Sequence, residues 1–148
     1  MAVINRLART ATVHDLPLTG EGAKRRIDGR ALILLLRQVA PAADAVVVGL
    51  EEVHALPGFG IQSQEAMCGA AYSVQAVLDI FRAPVTLVLP KQYLLAKKRG
   101  EKPAAWKARH VDVALRLYPA CAGLERAKDH NRAEALLIAP HIALEVAG

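Results

Sequence analysis

The sequence is poor in aromatic residues, in cysteine and in long apolar runs. Only 4% of its 148 residues are aromatic although 53% are hydrophobic, so alanine, valine and leucine must fill the core. The longest apolar run, residues 31–36, is too short for a membrane-spanning helix. The chain opens without a charged and then apolar leader, and Cys68 and Cys121 lack a C-x-x-C arrangement. We therefore expect a cytoplasmic protein with buried, reduced thiols.

Acidic residues are fewer than basic ones. The 14 Asp and Glu against 19 Lys and Arg give a net charge of +5 and a pI near 9.5. A basic surface attracts phosphate, so the excess is consistent with a polyanionic partner without identifying one. The length suits one domain with a sizeable core, and we predict a single domain over residues 1–148.

Strand-like and helix-like patterns alternate along the chain, which predicts an α/β fold. Runs rich in β-branched residues predict strands at residues 1–4, 10–16, 45–50 and 85–89, with a loop over 18–27. Apolar residues at helical spacing predict helices over residues 29–39, 62–81, 104–118 and from 130 onwards. Pro140 is expected to kink or end the last helix. Asp28 and Ser63 are the expected caps of the first two, and Gly69 inside the second predicts the close approach of another backbone.

The central stretch of the chain is residues 45–60, AVVVGLEEVHALPGFG. The β-branched residues 46–48 predict a strand that is covered on both faces. Glu51 and Glu52 follow at its carboxyl end, where ligands and metals lie in open α/β sheets. Neighbouring strand residues point to opposite faces, so one glutamate is expected to be functional and the other covered or solvated. The alternative is that both only mark where the strand reaches water.

Residues 91–109 are the most basic segment of the sequence. They include seven Lys and Arg against a single acid, Glu101, with Tyr93 and Trp106 among them. Basic residues interleaved with aromatics suit a phosphate backbone and unstacked bases. A solvated helix and loop with one anchoring Trp is the alternative. We predict nucleic-acid contacts from six of the basic residues: Lys91, Lys97, Lys98, Arg99, Lys107 and Arg109.

An acid interrupts the last, strongly apolar helix. Asp129 can cap this helix near His130, and Glu134 lies four residues after His130 on the same face. The simple interpretation is a capping Asp129 and a surface Glu134. The other interpretation is a polar cluster that projects onto the Glu51 carboxylate. A two-metal nuclease requires such a cluster, because hard cations need several oxygen ligands. On the second interpretation, Glu51 and Glu134 converge, with Asp129 or His130 beside them.

Four segments of the sequence resemble RuvC-like Holliday junction resolvases. LEEVHALPGFGIQS resembles the family motif in which a glutamate ends a strand before Val-His-Ala-Met-Pro-Gly. AKDHNRAEALLIA is similar to the closing helix of the family, where an Asp-His pair precedes an Ala-Glu-Ala-Leu-Leu-Ile-Ala run. HDLP and RIDGRAL are similar to the phage-type branch, the crossover junction endodeoxyribonucleases of phages. The four segments match in order and spacing over nearly the whole chain.

The resemblance implies an RNase H-like fold, with a mixed sheet flanked by helices, and metal-dependent cleavage of branched DNA by a homodimer. The implied cofactor is Mg²⁺ or Mn²⁺. Glu51 matches the strand-end metal ligand and Glu134 the final helix carboxylate of the family. Asp129 and His130 match the preceding ligand position, and the resemblance does not decide between them. Lys107 resembles a basic residue of the DNA-contacting segment.

The sequence departs from the family pattern in two places. The family opens with a central strand ending in Asp-Pro-Gly, whose Asp is a principal ligand. This sequence contains no Asp-Pro-Gly and starts at what looks like the second strand, and residues 64–67 lack the aromatics often found there. Two functions are therefore expected as alternatives: a structure-selective endonuclease, or a non-catalytic nucleic-acid-binding remnant. An unrelated α/β domain with surface acids is a third.

Overall fold

Short strands and longer helices alternate in a computed structural model, which describes residues 1–5, 8, 10–42, 46–54, 58 and 60–145. The strands are β1 Ala2–Asn5, β2 Thr10–Val13, β3 Leu18–Thr19, β4 Arg26–Ile27, β5 Val48–Glu51 and β6 Val85–Val88. The helices are α1 Gly29–Val39, α2 Ile61–Phe81, α3 Pro90–Tyr93, α4 Pro103–Leu117 and α5 His130–Glu145. Two 3₁₀ turns cover Gly22–Lys24 and Ala127–Asp129. The described residues thus form a mixed α/β protein with three two-stranded sheets, β1–β2, β3–β4 and β5–β6.

The chain packs as two compact units. Unit 1 combines residues 1–15 with residues 88–148, and unit 2 is residues 16–87. Each unit has its own helix pair in contact, α4 with α5 in unit 1 and α1 with α2 in unit 2. The single RNase H-like domain expected from the sequence stays a prediction.

In unit 2, helix α1 begins where its capping residue predicts. Asp28 has an extended backbone, and its Oδ1 accepts a hydrogen bond of 2.9 Å from the Ala31 amide. Leu32 and Leu36 lie one turn apart and are buried where α1 packs against α2. Three residues of the last turns of α2 are also buried: Val77, Leu78 and Phe81. The expected α1 is therefore confirmed in full, and the expected α2 to within one residue.

Two expectations about turns in unit 2 are wrong. Gly60 precedes α2 and makes no side-chain cap bond, whereas the predicted cap Ser63 lies inside the helix. The predicted loop over residues 18–27 contains the antiparallel hairpin β3–β4. Gly20, with φ +84°, begins the connection over residues 20–25 in a backbone region that favours glycine.

The predicted central strand differs in extent and in burial. It begins at Val48, and Val47 is 41% exposed. The residues of β5 are half-buried or exposed, so the prediction of a strand buried on both faces is wrong. Ala45 lies outside the described residues.

In unit 1, the core forms around α5. The hairpin β1–β2 pairs Ala2 with Val13 and Asn5 with Thr10, which confirms the expected hairpin. Both strands contact α5, as do α3 and α4. The buried residues of this core are Val88, Tyr93, Ala114, Cys121, Leu124, Ala133, Leu136 and Leu137. Helix α5 continues to Glu145 with Pro140 inside it, so Pro140 does not end the helix.

The two cysteines are free thiols. Cys121 is buried and Cys68 is half-buried, and burial raises the pKa of the Cys121 thiol. Among the described residues, no helix combines the length and apolar character needed to cross a membrane.

Replacing Gly69 by Ala should stabilise the protein by about 0.5–1 kcal/mol, because Ala is the better helix former. A Cβ at this position would meet no described atom within 4 Å, contrary to the close backbone approach expected from the sequence. The matched control is Gly20→Ala, whose Cβ would lie 2.6 Å from the Lys24 carbonyl oxygen at φ +84°. The free energy of unfolding of Gly20→Ala should fall by about 1 kcal/mol or more. Urea midpoints followed by circular dichroism test both variants. A lower midpoint for Gly69→Ala than for the wild type would indicate that another backbone does pack there.

Candidate functional site

The two strand-end glutamates lie in unit 2 in different surroundings. Glu51 is the last residue of β5 and is exposed. Glu52 is half-buried, and its Oε1 lies 3.2 Å from Nε2 of His54. In the described part of the chain, the Glu51 carboxylate is therefore open to a ligand, whereas the Glu52 carboxylate is paired with His54.

An open cleft of about 220 Å³ lies beside the end of β5. Its polar wall is formed by Glu51, Glu52 and His54, and Cys68 and Tyr72 of α2 line it as well. Glu51 and Glu52 thus both line this cleft, and Glu52 is paired there with His54. Such a cleft can admit a hydrated cation or a polar ligand.

In unit 1, the Asp129 carboxylate is bound by Arg126. The Asp129 side chain is only 3% exposed. The Arg126 backbone amide donates to Oδ2 at 2.9 Å, and its guanidinium donates to Oδ1 at 2.8 Å and to Oδ2 at 3.1 Å. The side-chain bonds from Arg126 outweigh burial and hold the pKa of Asp129 at about 2. Asp129 can thus bind a cation only if Arg126 moves away.

A second arginine connects the start of α5 to the β1–β2 hairpin. Arg132 donates to both carboxylate oxygens of Asp15, at 2.9 and 2.6 Å, and to the Gly123 carbonyl at 3.0 Å. It also lies 3.8 Å from Asp129. Arg126 and Arg132 are not among the residues predicted from the sequence, although both lie three residues from Asp129 and three-residue spacing places side chains next to each other in a helical turn.

His130 and Glu134 lie at the beginning of α5, one turn apart. The His130 Nδ1 is buried and has no hydrogen-bond partner among the described residues. Glu134 is half-buried. Residues four apart share one helix face, so an imidazole and a carboxylate lie together there. Buried nitrogen atoms without a partner are rare, and a bound ion is one common explanation.

The ligands expected from the sequence belong to both units. Glu51 lies in unit 2, whereas Asp129, His130 and Glu134 lie in unit 1, so their convergence stays a prediction. Within either unit, the described residues include no group of three or more His, Cys, Asp or Glu placed to hold a metal ion.

Most of the predicted nucleic-acid contacts lie on the surface of unit 1. Lys91 is exposed on α3, residues 97–99 are exposed in the loop before α4, and Lys107 is half-buried on α4. Arg109 differs, because its guanidinium donates to both carboxylate oxygens of Glu101, at 2.7 and 2.8 Å. The hydrogen bonds from Arg109 lower the pKa of Glu101 to about 2. Arg109 is therefore engaged within the protein.

Replacing Asp129 by Asn should lower the stability of the protein at neutral pH, because Arg126 then loses its charged partner. The folded-state pKa of about 2 lies below the ordinary value of 3.8, so the stabilisation is complete above the ordinary pKa. It is lost as the pH falls through about 2. Urea midpoints measured between neutral and strongly acidic pH should show the two proteins converging over that window.

Asp112→Asn is the control for this comparison. Asp112 pairs with Arg116 on α4, but both side chains are exposed, at 57% and 75%. Exposed pairs contribute little, so its midpoint should stay close to that of the wild type. Equal midpoints for Asp129→Asn and Asp112→Asn at neutral pH would show that the Asp129 pair does not stabilise unit 1.

No protein-family model matches the chain, and no curated protein matches it. A functional assignment therefore has to rest on its own residues.

Proposed function

We propose that the chain is a RuvC-like endonuclease domain of RNase H-like fold, which cleaves branched DNA as a homodimer with Mg²⁺ or Mn²⁺. The order of the family-like segments along the chain supports the proposal. So do the mixed α/β elements, the exposed Glu51 at the end of β5 and the exposed cations of unit 1.

The unpartnered Nδ1 of His130 is the observation that carries the metal site. A buried imidazole nitrogen without a partner is costly, and coordination of a cation satisfies it. Asp129, the alternative ligand at this position, already has both oxygens bonded to Arg126. We therefore assign the position to His130, with Glu134 on the same face of α5.

The protein residues have distinct roles in this proposal. Glu51 and Glu134 supply negative charge and oxygen ligands, and His130 supplies a nitrogen ligand. The bound cations would activate a water molecule and stabilise the leaving oxygen of the phosphodiester. Asp129 is a structural residue that fixes Arg126 beside the start of α5.

A nucleic-acid-binding protein without cleavage is the second candidate. The sequence contains no Asp-Pro-Gly, the segment in which the family has a principal ligand. A cluster that lacks one carboxylate leaves the cations under-coordinated and the attacking water badly positioned. We therefore expect weak cleavage from the 148-residue chain and stronger cleavage once a strand ending in Asp-Pro-Gly precedes it.

The cleavage test compares both chains on a labelled four-way junction with Mg²⁺, with Mn²⁺ and with EDTA. In the extended chain, Glu51→Gln and Glu134→Gln should each reduce cleavage by about a hundredfold or more, since a metal ligand is lost. Glu52→Gln is the matched control and should retain activity, because Glu52 is paired with His54. Junction binding should persist in Glu51→Gln.

Each outcome of the cleavage test separates the two candidates. Binding without cleavage in both chains supports the non-catalytic protein. Cleavage that survives EDTA or Glu51→Gln overturns the proposed ligand set. Equal metal-dependent cleavage by both chains would mean that the Asp-Pro-Gly carboxylate is dispensable here.

The choice of cation should depend on His130. Imidazole nitrogen suits Mn²⁺ better than Mg²⁺, which prefers oxygen ligands. We therefore expect faster cleavage with Mn²⁺ than with Mg²⁺ in the extended chain, and His130→Asp should shift the preference toward Mg²⁺. Cleavage rates over a concentration series of each cation measure the ratio, with Asp129→Asn as the control that should leave it unchanged. An unchanged ratio in His130→Asp would exclude His130 as a ligand.

A further inference from the structure

Three consecutive cations are presented by the segment between α3 and α4, which we call the basic loop, residues 94–102. Lys97, Lys98 and Arg99 are exposed there, and none forms an ion pair with an acid among the described residues. The loop turns back at Gly100, with φ +75°, where the Glu101 amide donates to the Lys98 carbonyl at 3.0 Å.

The backbone of the basic loop is held by side chains of α4. The Trp106 Nε1 donates to the Leu95 carbonyl at 2.5 Å, and the Leu95 amide donates to Nε2 of His110 at 3.1 Å. The Arg109 Nη2 donates to the Ala96 carbonyl at 2.7 Å. His110 is fully buried, with its Nδ1 2.9 Å from the Trp106 carbonyl. The loop thus has a fixed shape although its cations are exposed.

A single acid completes this arrangement. Glu101 accepts two hydrogen bonds from Arg109 and a third, of 3.0 Å, from the Lys98 amide. Its side chain is only 8% exposed, whereas that of Arg109 is 28% exposed. An acid beside three cations lowers the local positive potential. It also fixes the turn from which those cations project.

We propose that Glu101 is a positioning residue for nucleic-acid binding: with Arg109 it holds the basic loop in the shape that contacts the sugar-phosphate backbone. This inference rests on the DNA binding of the proposed function. A loop that is already ordered loses less conformational entropy when it binds, so its contacts contribute more to affinity.

The chemistry of the basic loop favours phosphates over bases. Tyr93 is 5% exposed and belongs to the core of unit 1. Trp106 is half-buried, its indole N–H is bonded to Leu95, and the Lys97 ammonium lies over its ring, 5.3 Å from the centroid. Neither aromatic is presented as an open stacking surface. Affinity is therefore expected to depend on charge and backbone shape and not on base sequence.

The same loop is poorly suited to a membrane surface. Membrane-binding segments combine basic residues with exposed large apolar anchors. The exposed uncharged residues around the cations are small, namely Ala96, Gly100, Pro103, Ala104 and Ala105. A nucleic-acid backbone is the polyanion that this surface fits.

Glu101→Gln gives the sharpest test, because charge and positioning predict opposite results. Removal of an acid beside three cations should strengthen DNA binding if only charge matters. If Glu101 positions the loop, the dissociation constant for a four-way junction should rise by about three- to tenfold. The slope of log affinity against log salt should stay unchanged, since no phosphate contact is removed.

Two variants provide matched comparisons. Asp112→Asn removes an exposed acid from α4, the helix whose side chains hold the basic loop, and its affinity should be equal to or slightly higher than that of the wild type. Lys98→Gln removes an expected phosphate contact and should reduce the salt slope by about 0.9. Circular dichroism melts establish that all variants are folded.

The rate of trypsin cleavage at residues 97–99 tests, in the absence of DNA, whether the loop is held in a fixed shape. A fixed loop resists cleavage, so Glu101→Gln should be cut there faster than the wild type and Asp112→Asn should not. Equal cutting of Glu101→Gln and wild type, or tighter DNA binding by Glu101→Gln, overturns the positioning role while the proposed function stands. If the wild-type chain binds phosphatidylserine vesicles but not the junction, or binds neither of them, the positioning role and the proposed function are both overturned.

Discussion

Unit 1 depends on a buried carboxylate that has to be paired. Asp129 lies at the start of α5 with 3% of its side chain exposed, and Arg126 and Arg132 supply the compensating charge. A buried charge that loses its partner costs far more than an exposed pair contributes. Because Arg132 also holds Asp15 and the Gly123 carbonyl, the same carboxylate fixes the position of α5 against the β1–β2 hairpin. Any ligand at the start of α5 meets an environment that this pairing defines.

The net positive charge of the protein is confined to one unit. Unit 1 has thirteen Lys and Arg against seven Asp and Glu, whereas unit 2 has six against seven. The exposed Glu51 thus belongs to a nearly neutral unit, and the basic loop belongs to the basic one. Long-range attraction of a polyanion would therefore act mainly on unit 1.

Local signals predicted the four longer helices but not α3, whereas the burial of the central strand depends on neighbouring elements. The cap Asp28 and the spacing of Leu32 and Leu36 define α1 without reference to the rest of the chain. The exposure of Val47, just before β5, depends on what packs against its side chain, which no local pattern specifies.

The candidate site shows the same limit. The strand-end position of Glu51 and the shared helix face of His130 and Glu134 were readable from spacing. From the sequence alone, Asp129 and His130 were equal alternatives as the metal ligand. The ion pair that engages Asp129 with Arg126 depends on a 3₁₀ turn. The pairing of Arg109 with Glu101, eight residues away across a loop, was not readable from spacing.

The position of the only tryptophan has a consequence for how unfolding is observed. Trp106 lies in unit 1, and unit 2 contains none. Its emission during denaturation follows unit 1 alone, whereas far-ultraviolet circular dichroism adds the helices α1 and α2 of unit 2. Coincident transitions by the two signals mean that the units unfold cooperatively, and separated transitions mean that each has its own stability.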